Sequence, residues 1–301
     1  MTPPTFPGAV APERTRRFVS GGLSLCLREW GDPAAAPLVL SHGMFDYGRG
    51  FDLLAPHLAE RFRVIAIDAR GHGDSDWADA YAWGCDVIDV VHVLRSLDQP
   101  AHLLGHSRGG GLMTDTAARC PELVRQLVNM DGFGPPPGGF RFPGEEPART
   151  PPEELASFLD WRRRANAHRE RRAYATLDDL AEHRRRQNPR LSLEWLRYFQ
   201  YHGARETERG WTLKVDPHAG RGVGPWNPDW IGPGWRSLRA PMLAIIGSEQ
   251  DTWGPLPEEV LAERLANVPH LDRGVVADAG HFMHIEQPER TARLLLDYLE
   301  R

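Results

Sequence analysis

The segment Leu103-Leu104-Gly105-His106-Ser107-Arg108-Gly109-Gly110 holds the residue types that could do chemistry. An apolar run ends in Gly-x-Ser-x-Gly, and small residues follow it at helical length. A nucleophilic serine needs this spacing when it sits on a tight turn between a strand and a helix. Two residues before and two after the serine, the chain passes so near itself that side chains would clash, so Gly105 and Gly109 are the residues that fit. The turn lifts the hydroxyl out of the backbone. It also aims the N–H of Arg108, at the start of the helix, at the point where an oxyanion would develop. Glycine-rich loops produce the same pentapeptide by chance, so the rest of the chain has to supply the context.

The elements that must position Ser107 are legible on both sides of it. Phe18-Val19 and Leu23 to Leu27 read as short strands joined at Gly21-Gly22. Leu38-Val39-Leu40 is a buried strand that runs into Ser41-His42-Gly43-Met44, and residues 50–58 have helical spacing. Arg63 to Asp68 is a β-branched strand. Val87, Val90, Val91 and Leu94 recur at the helical period over residues 86–97. The helix after Ser107 breaks at Pro121, and Leu127 to Asp131 is strand-like again. Strands alternating with helices predict a parallel sheet covered on both faces, with ligand sites at the carboxyl ends of the strands. His42-Gly43, Asp68, Ser107 and Asp131 all fall at or just past such ends.

From about Gly132 to Leu238 the pattern changes. Pro135 to Gly139 breaks the chain, and helices are predicted over residues 153–172, 176–188 and 192–203. The second opens with Thr176 and Asp179 spaced as a capping box. A short strand near residues 211–217 and a run holding Trp226, Trp230 and Trp235 follow. Sheet-like runs resume at Met242 to Gly247 and Gly274 to Val276, and a helix closes the chain over residues 288–298. The expected fold class is α/β, a mostly parallel eight-stranded twisted sheet flanked by helices. A helical lobe over residues 135–237 would be inserted between core segments 1–134 and 238–301.

Composition narrows the partners. With 301 residues, 41% of them hydrophobic, the chain can bury one large core or a core with a smaller lobe. A formal net charge of -5 argues against nucleic acid as the main partner. Between Asp160 and Arg186 nine arginines meet five acidic residues, but at helical spacing, which reads as a solvated face with i,i+4 pairs. The first ten residues carry no signal-peptide pattern and no apolar run is long enough to span a bilayer, so a soluble cytoplasmic protein is expected. Cys26, Cys85 and Cys120 are too widely spaced for a disulfide framework or a zinc site and read as reduced thiols. Oligomeric state stays open.

Taken together and in order, His42-Gly43-Met44, Asp68 to Ser75, Gly105 to Gly110, Gly247 to Asp251, and Gly280-His281-Phe282 with Glu286 and Pro288 give the chain a family resemblance. It resembles the α/β-hydrolase fold with a helical cap, over nearly all of the sequence outside the 135–237 lobe. Serine, then acid, then histidine is the chain order this fold uses. The resemblance implies Ser107 as nucleophile, His281 as its base, and backbone N–H groups of Met44 and Arg108 as the oxyanion hole. It offers two triad acids: Asp251, four residues past the strand ending at Gly247 and in the usual place, is preferred, and Asp131, after the strand that follows the elbow, is the alternative. His284 lies three residues past His281, but nothing nearby supplies a ligand pattern, so no metal is expected, and no cofactor. His42, Phe45, His106, Trp161, Trp226, Trp230 and Phe282 are candidate pocket residues.

The implied activity is hydrolysis of a carboxylic ester, or a related acyl bond, of a small and mostly apolar molecule through an acyl-enzyme, of the carboxylesterase type. Serine at the elbow argues against the dehalogenases and epoxide hydrolases of this fold, which carry aspartate there. A cofactor-free perhydrolase of the haloperoxidase type or a carbon–carbon bond hydrolase would use the same triad. A ligand receptor that keeps the triad without turnover is the reading from outside enzymology.

Overall fold

Apolar runs bounded by turn residues form the sheet. In the computed structural model, strands β1 (Arg14–Ser20), β2 (Leu23–Trp30), β3 (Pro37–Ser41), β4 (Arg63–Asp68), β5 (Ala101–His106) and β6 (Val124–Met130) precede a long insertion. Strands β9 (Met242–Gly247) and β10 (Leu271–Val276) follow it. The structure describes residues 3–135, 152–153, 155–156, 159–160, 162–163, 172–219 and 231–301.

The eight strands lie side by side in the order β1-β2-β4-β3-β5-β6-β9-β10. The first two pairings, β1 with β2 and β2 with β4, are antiparallel, and every pairing from β4 to β10 is parallel. Parallel strands need helices on both faces, and the burial follows: β3 and β5 are buried at every residue. One face packs Val39, Ile65, Leu103 and Leu127 against helices α2 (Trp83–Arg95) and α3 (Arg108–Arg119). The other packs Leu38, Leu40, Leu104 and Val128 against α1 (Ala55–Ala59) and the closing α7 (Pro288–Leu299). Each fully buried leucine, isoleucine or valine contributes about 1.5–3 kcal/mol, so the central strands carry the stability on which the site is mounted.

Between β6 and β9 the described residues form helices α4 (Leu177–Gln187) and α5 (Leu193–Gly203) and a hairpin of β7 (Ala204–Thr207) with β8 (Gly210–Leu213). The predicted capping box is present: Thr176 Oγ1 accepts from Asp179 N–H, and the Asp179 carboxylate accepts from Thr176 N–H. Helix α5 packs Trp195 and Phe199 with Tyr47, Leu53 and Phe282 of the sheet domain. The hairpin partner β7 and helix α6 (Glu258–Leu265) were not anticipated from the sequence. Most of the helix expected over 153–172, and the tryptophans 161, 226 and 230, lie outside the described residues. Trp235 is buried and joins the core on the α3 side of the sheet. Among the described residues no helix is long and apolar enough to cross a membrane.

Candidate active site

Ser107 sits between β5 and α3 with φ 54° and ψ −125°, in the left-handed half of backbone space that a non-glycine residue occupies only under constraint. The constraint is visible. A Cβ on Gly105 would lie 2.1 Å from the carbonyl oxygen of Gly109, and one on Gly109 would lie 2.3 Å from that of Ser41. The Ser107 N–H donates to Met130 O at 2.9 Å, and its carbonyl accepts from Gly110 N–H at 2.8 Å, so the turn is tied to β6 and to α3 at once. The side chain remains partly exposed.

His281 arrives on the loop after β10 and is 4% exposed. Its Nδ1 lies 2.6 Å from Asp131 Oδ2, a buried charge-assisted pair. A carboxylate on Nδ1 fixes the tautomer and leaves Nε2 able to accept a proton. Among the described residues no hydrogen bond joins Ser107 Oγ to the imidazole. Such contacts are commonly long before substrate arrives. The ring of His106, the residue next to Ser107, stands 4.7 Å from that of His281, centroid to centroid.

The acid differs from the preferred expectation. Asp251 does not reach the imidazole: its Oδ2 accepts the backbone N–H of His281 at 2.8 Å, and its Oδ1 accepts Trp253 N–H at 2.7 Å and Gly254 N–H at 3.2 Å. Oδ1 thus closes the local turn, as aspartates in loops commonly do, and Oδ2 holds the His281 backbone. Asp131 takes the ring instead because of the turn it starts. It has φ 48°, its N–H is bonded to Ile245 O, and the adjacent Gly132 N–H is held by Asn129 Oδ1 at 2.8 Å. Asn129 is fully buried and also donates to Thr114 Oγ1 and Gly132 O. Its one visible signal is a lone amide inside the apolar run Leu127-Val128-Asn129-Met130. Both carboxylates press on glycine: a Cβ on Gly254 would lie 2.2 Å from Asp131 Oδ2, and one on Gly280 would lie 2.5 Å from Asp251 Oδ2.

The N–H groups of Met44 and Arg108, the expected oxyanion donors, donate to no protein acceptor among the described residues. The Met44 and Phe45 side chains point outward, 40% and 41% exposed, so Phe45 does not line the cavity expected of it. Asp46 N–H closes the turn onto Gly43 O at 3.3 Å. The Arg108 side chain pairs with Asp86 and takes no part in the site.

A narrow cavity between α4, α5 and the sheet domain is lined by His42, Gly43, Asp46, His106, Arg184, Leu191, Leu196, Phe282 and His284, among others. His42, His106 and Phe282 were expected there, while Asp46, Arg184 and His284 were not. His42 donates from Nδ1 to Gly43 O and accepts Ala69 N–H at Nε2, so it braces the oxyanion turn. Burial pushes His42 and His284 down to about 3, and burial with its histidine neighbours holds His106 well below the ordinary imidazole value. Arg184 belongs to the stretch read as a solvated face, yet its Nη2 pairs with Asp46 Oδ1 at 2.5 Å, a contact 138 residues apart. Burial raises the Asp46 carboxyl above its usual range, and Arg184 acts against that shift.

The one group of described residues spaced to hold a metal ion is Cys26, Asp68 and Asp74. Arg28 already neutralises it, with Nη2 2.8 Å from Asp68 Oδ2 and 2.6 Å from Asp74 Oδ2. Burial pushes the Cys26 thiol up to about 12, the wrong direction for a thiolate ligand.

A strained serine at the carboxyl end of a parallel strand, beside an imidazole held by a carboxylate, defines the architecture of an α/β hydrolase. The chain matches the alpha/beta hydrolase family over residues 38–294 and belongs to it. It is 28% identical over 282 residues to the 3-hydroxybutyrate-oligomer hydrolase of Cupriavidus necator, covering 89% of this chain and 90% of that one. Its fold superposes on the thioesterase domain from the curacin biosynthetic pathway with a TM-score of 0.78 at 22% identity, covering 94% and 99% of the two chains. It also superposes on E-2-(acetamidomethylene)succinate hydrolase with a TM-score of 0.74 at 23% identity, covering 96% and 99%.

Proposed function

We propose that the protein is a serine hydrolase of carboxylic esters or closely related acyl bonds, with Ser107 as nucleophile, His281 as general base and Asp131 as the acid that orients it. The observation that supports this most directly is the 2.6 Å contact between His281 Nδ1 and Asp131 beside the strained Ser107 turn. In the first step His281 Nε2 takes the Ser107 proton as Oγ attacks the carbonyl carbon. The oxyanion is held by the N–H groups of Met44 and Arg108. The tetrahedral adduct collapses to an acyl-serine as the imidazolium gives its proton to the departing alkoxide. Water, deprotonated by the same imidazole, then releases the acid and restores Ser107. Helices α4 and α5 of the 135–237 insert act as a cap over this chemistry, and the substrate is a small molecule.

An oxygen ester is favoured over the other acyl bonds because a relative matched over 90% of its length is named for hydrolysis of 3-hydroxybutyrate oligomers, whose links are esters. The test is a panel of p-nitrophenyl esters of graded chain length, run with a fluorophosphonate label mapped to its residue. The expected results are labelling at Ser107 and a loss of about four to six orders of magnitude in kcat/KM for Ser107→Ala. A loss under about tenfold overturns Ser107 as the nucleophile.

A further inference from the structure

Among the described residues that line the cavity next to Ser107 there is one strong cation, and it is only partly used. Arg184 reaches in from α4 with 12% of its side chain exposed, and Asp46, its partner, has 10% exposed. A guanidinium carries five N–H donors. Here Nη2 serves Asp46, while Nε is buried without any hydrogen-bond partner. An unsatisfied buried donor is costly, more so on a charged group, and a ligand acceptor removes that cost. His42, His106 and His284 share the cavity but are held neutral by burial, so among the described lining residues Arg184 is the one that offers positive charge. The nucleophile is close. A Cβ on Gly43 would stand 3.0 Å from Asp46 Oδ2 and 3.3 Å from Ser107 Cβ, so the ion pair lies about one residue's width from the reacting serine.

We infer that Arg184 is a specificity-determining anchor, and that the site takes an ester carrying a carboxylate a few bonds from its scissile carbonyl. The inference rests on the serine-hydrolase reading and narrows its substrate class. A carboxylate matches two parallel N–H groups of a guanidinium, a geometry a lysine cannot offer. Leu191, Leu196 and Phe282 make part of the cavity wall apolar, and an apolar surround strengthens such a pair. The free space is only about 10 Å³, room for about one water. The arriving carboxylate therefore has to take Arg184 from Asp46 or share it. Asp46 is thus the competitor of the substrate for the same guanidinium, and the two residues have opposite effects on selectivity.

Two matched pairs of esters test this: mono-p-nitrophenyl glutarate against p-nitrophenyl pentanoate, with the charge on the acyl side, and the 3-hydroxybutyrate dimer against its methyl ester, with the charge on the alcohol side. The expected result is a wild-type preference in kcat/KM for the charged member of at least one pair. Arg184→Gln lowers that charged-to-uncharged ratio at least tenfold, and Asp46→Asn raises it. Two variants that lower both members in parallel reveal an ion pair that merely holds the cap, and overturn the anchor. So does a wild type with no charge preference in either pair. Where Arg184→Gln fails to fold, competition on the wild type decides: glutarate inhibits pentanoate-ester turnover competitively and glutaramide does not, and equal inhibition by both overturns the anchor. Turnover of the uncharged esters with labelling at Ser107 but no charge preference sinks this inference alone. Absence of both turnover and labelling sinks the hydrolase reading and this one with it.

Discussion

Two imidazoles stand 4.7 Å apart beside Ser107, and their surroundings differ in one respect that decides their chemistry. His281 presents Nδ1 to the carboxylate of Asp131 at 2.6 Å. His106 presents Nε2 to a backbone carbonyl, that of His281, at 2.9 Å, and its nearest titratable neighbours are His284 and His281. A carboxylate on Nδ1 orients the ring and fixes its tautomer, whereas neighbouring imidazoles and burial disfavour the protonated form of His106. In the proposed mechanism the first takes the serine proton, while the second is held neutral and serves as packing and as a brace. Proximity to the nucleophile therefore does not select the base among thirteen histidines. An acid on the far nitrogen does.

Removing that acid is the sharpest way to break the comparison. Asp131→Asn keeps the shape but offers the ring an amide and favours the wrong tautomer. The expected loss in kcat/KM is about four orders of magnitude, by analogy with triads whose aspartate is amidated. A loss under about tenfold, read on the ester that wild type turns over best, returns the acid role to Asp251.

Asp251 tests the same contrast at lower amplitude, because it holds the backbone of His281 and not its ring. Asp251→Ala removes the acceptor of three N–H groups, those of His281, Trp253 and Gly254. The His281 loop then drifts, and misplacement of a catalytic group by about an ångström costs about a hundredfold, so a fall of about ten- to a hundredfold is expected. Asp251→Asn, which keeps an acceptor oxygen, falls less. A larger loss for Asp251→Ala than for Asp131→Asn reverses the assignment of the two carboxylates.

This ambiguity shows where sequence reasoning stops. Ser107 was legible because its turn imposes glycine two residues to either side, a local steric rule. The sheet was legible from alternating apolar runs, and α4 from the Thr176–Asp179 box, again local patterns. Which carboxylate meets His281 depends on where two loops point, and both loops follow strands that end at the same edge. Asp251 spends one oxygen on the turn it starts and the other on the His281 backbone, and Asp131 is aimed by a left-handed backbone and by Asn129 beneath it. The Asp46–Arg184 pair joins residues 138 apart, beyond the reach of any periodicity, and the arginine was hidden in a stretch whose neighbours Arg185 and Arg186 are indeed exposed.

The smallest effect concerns the neutral ring. The His106 pKa is depressed in the folded protein, by burial first and then by His284 and His281. The unfolded chain therefore binds a proton near the ordinary value of about 6.5 that the folded chain refuses. Stability from this group is full above pH 6.5 and declines as the pH falls below it, by up to about 1.4 kcal/mol per pH unit. Asp52 works in the opposite sense, since burial raises it from 3.8 to about 6 in the fold and its contribution is lost as pH rises through that window. That term is common to wild type and variant and cancels in their difference. His106→Gln keeps a donor for the His281 carbonyl and cannot be protonated. Its activity at pH 7.5 is expected to fall several-fold, far less than for Asp131→Asn. Its Tm, measured against wild type from pH 7.5 down to pH 5, is expected to keep a constant offset down to about pH 6.5 and to gain on wild type below it. A constant Tm difference across that range means that His106 carries a proton in the fold as readily as out of it, and the contrast between the two imidazoles then collapses.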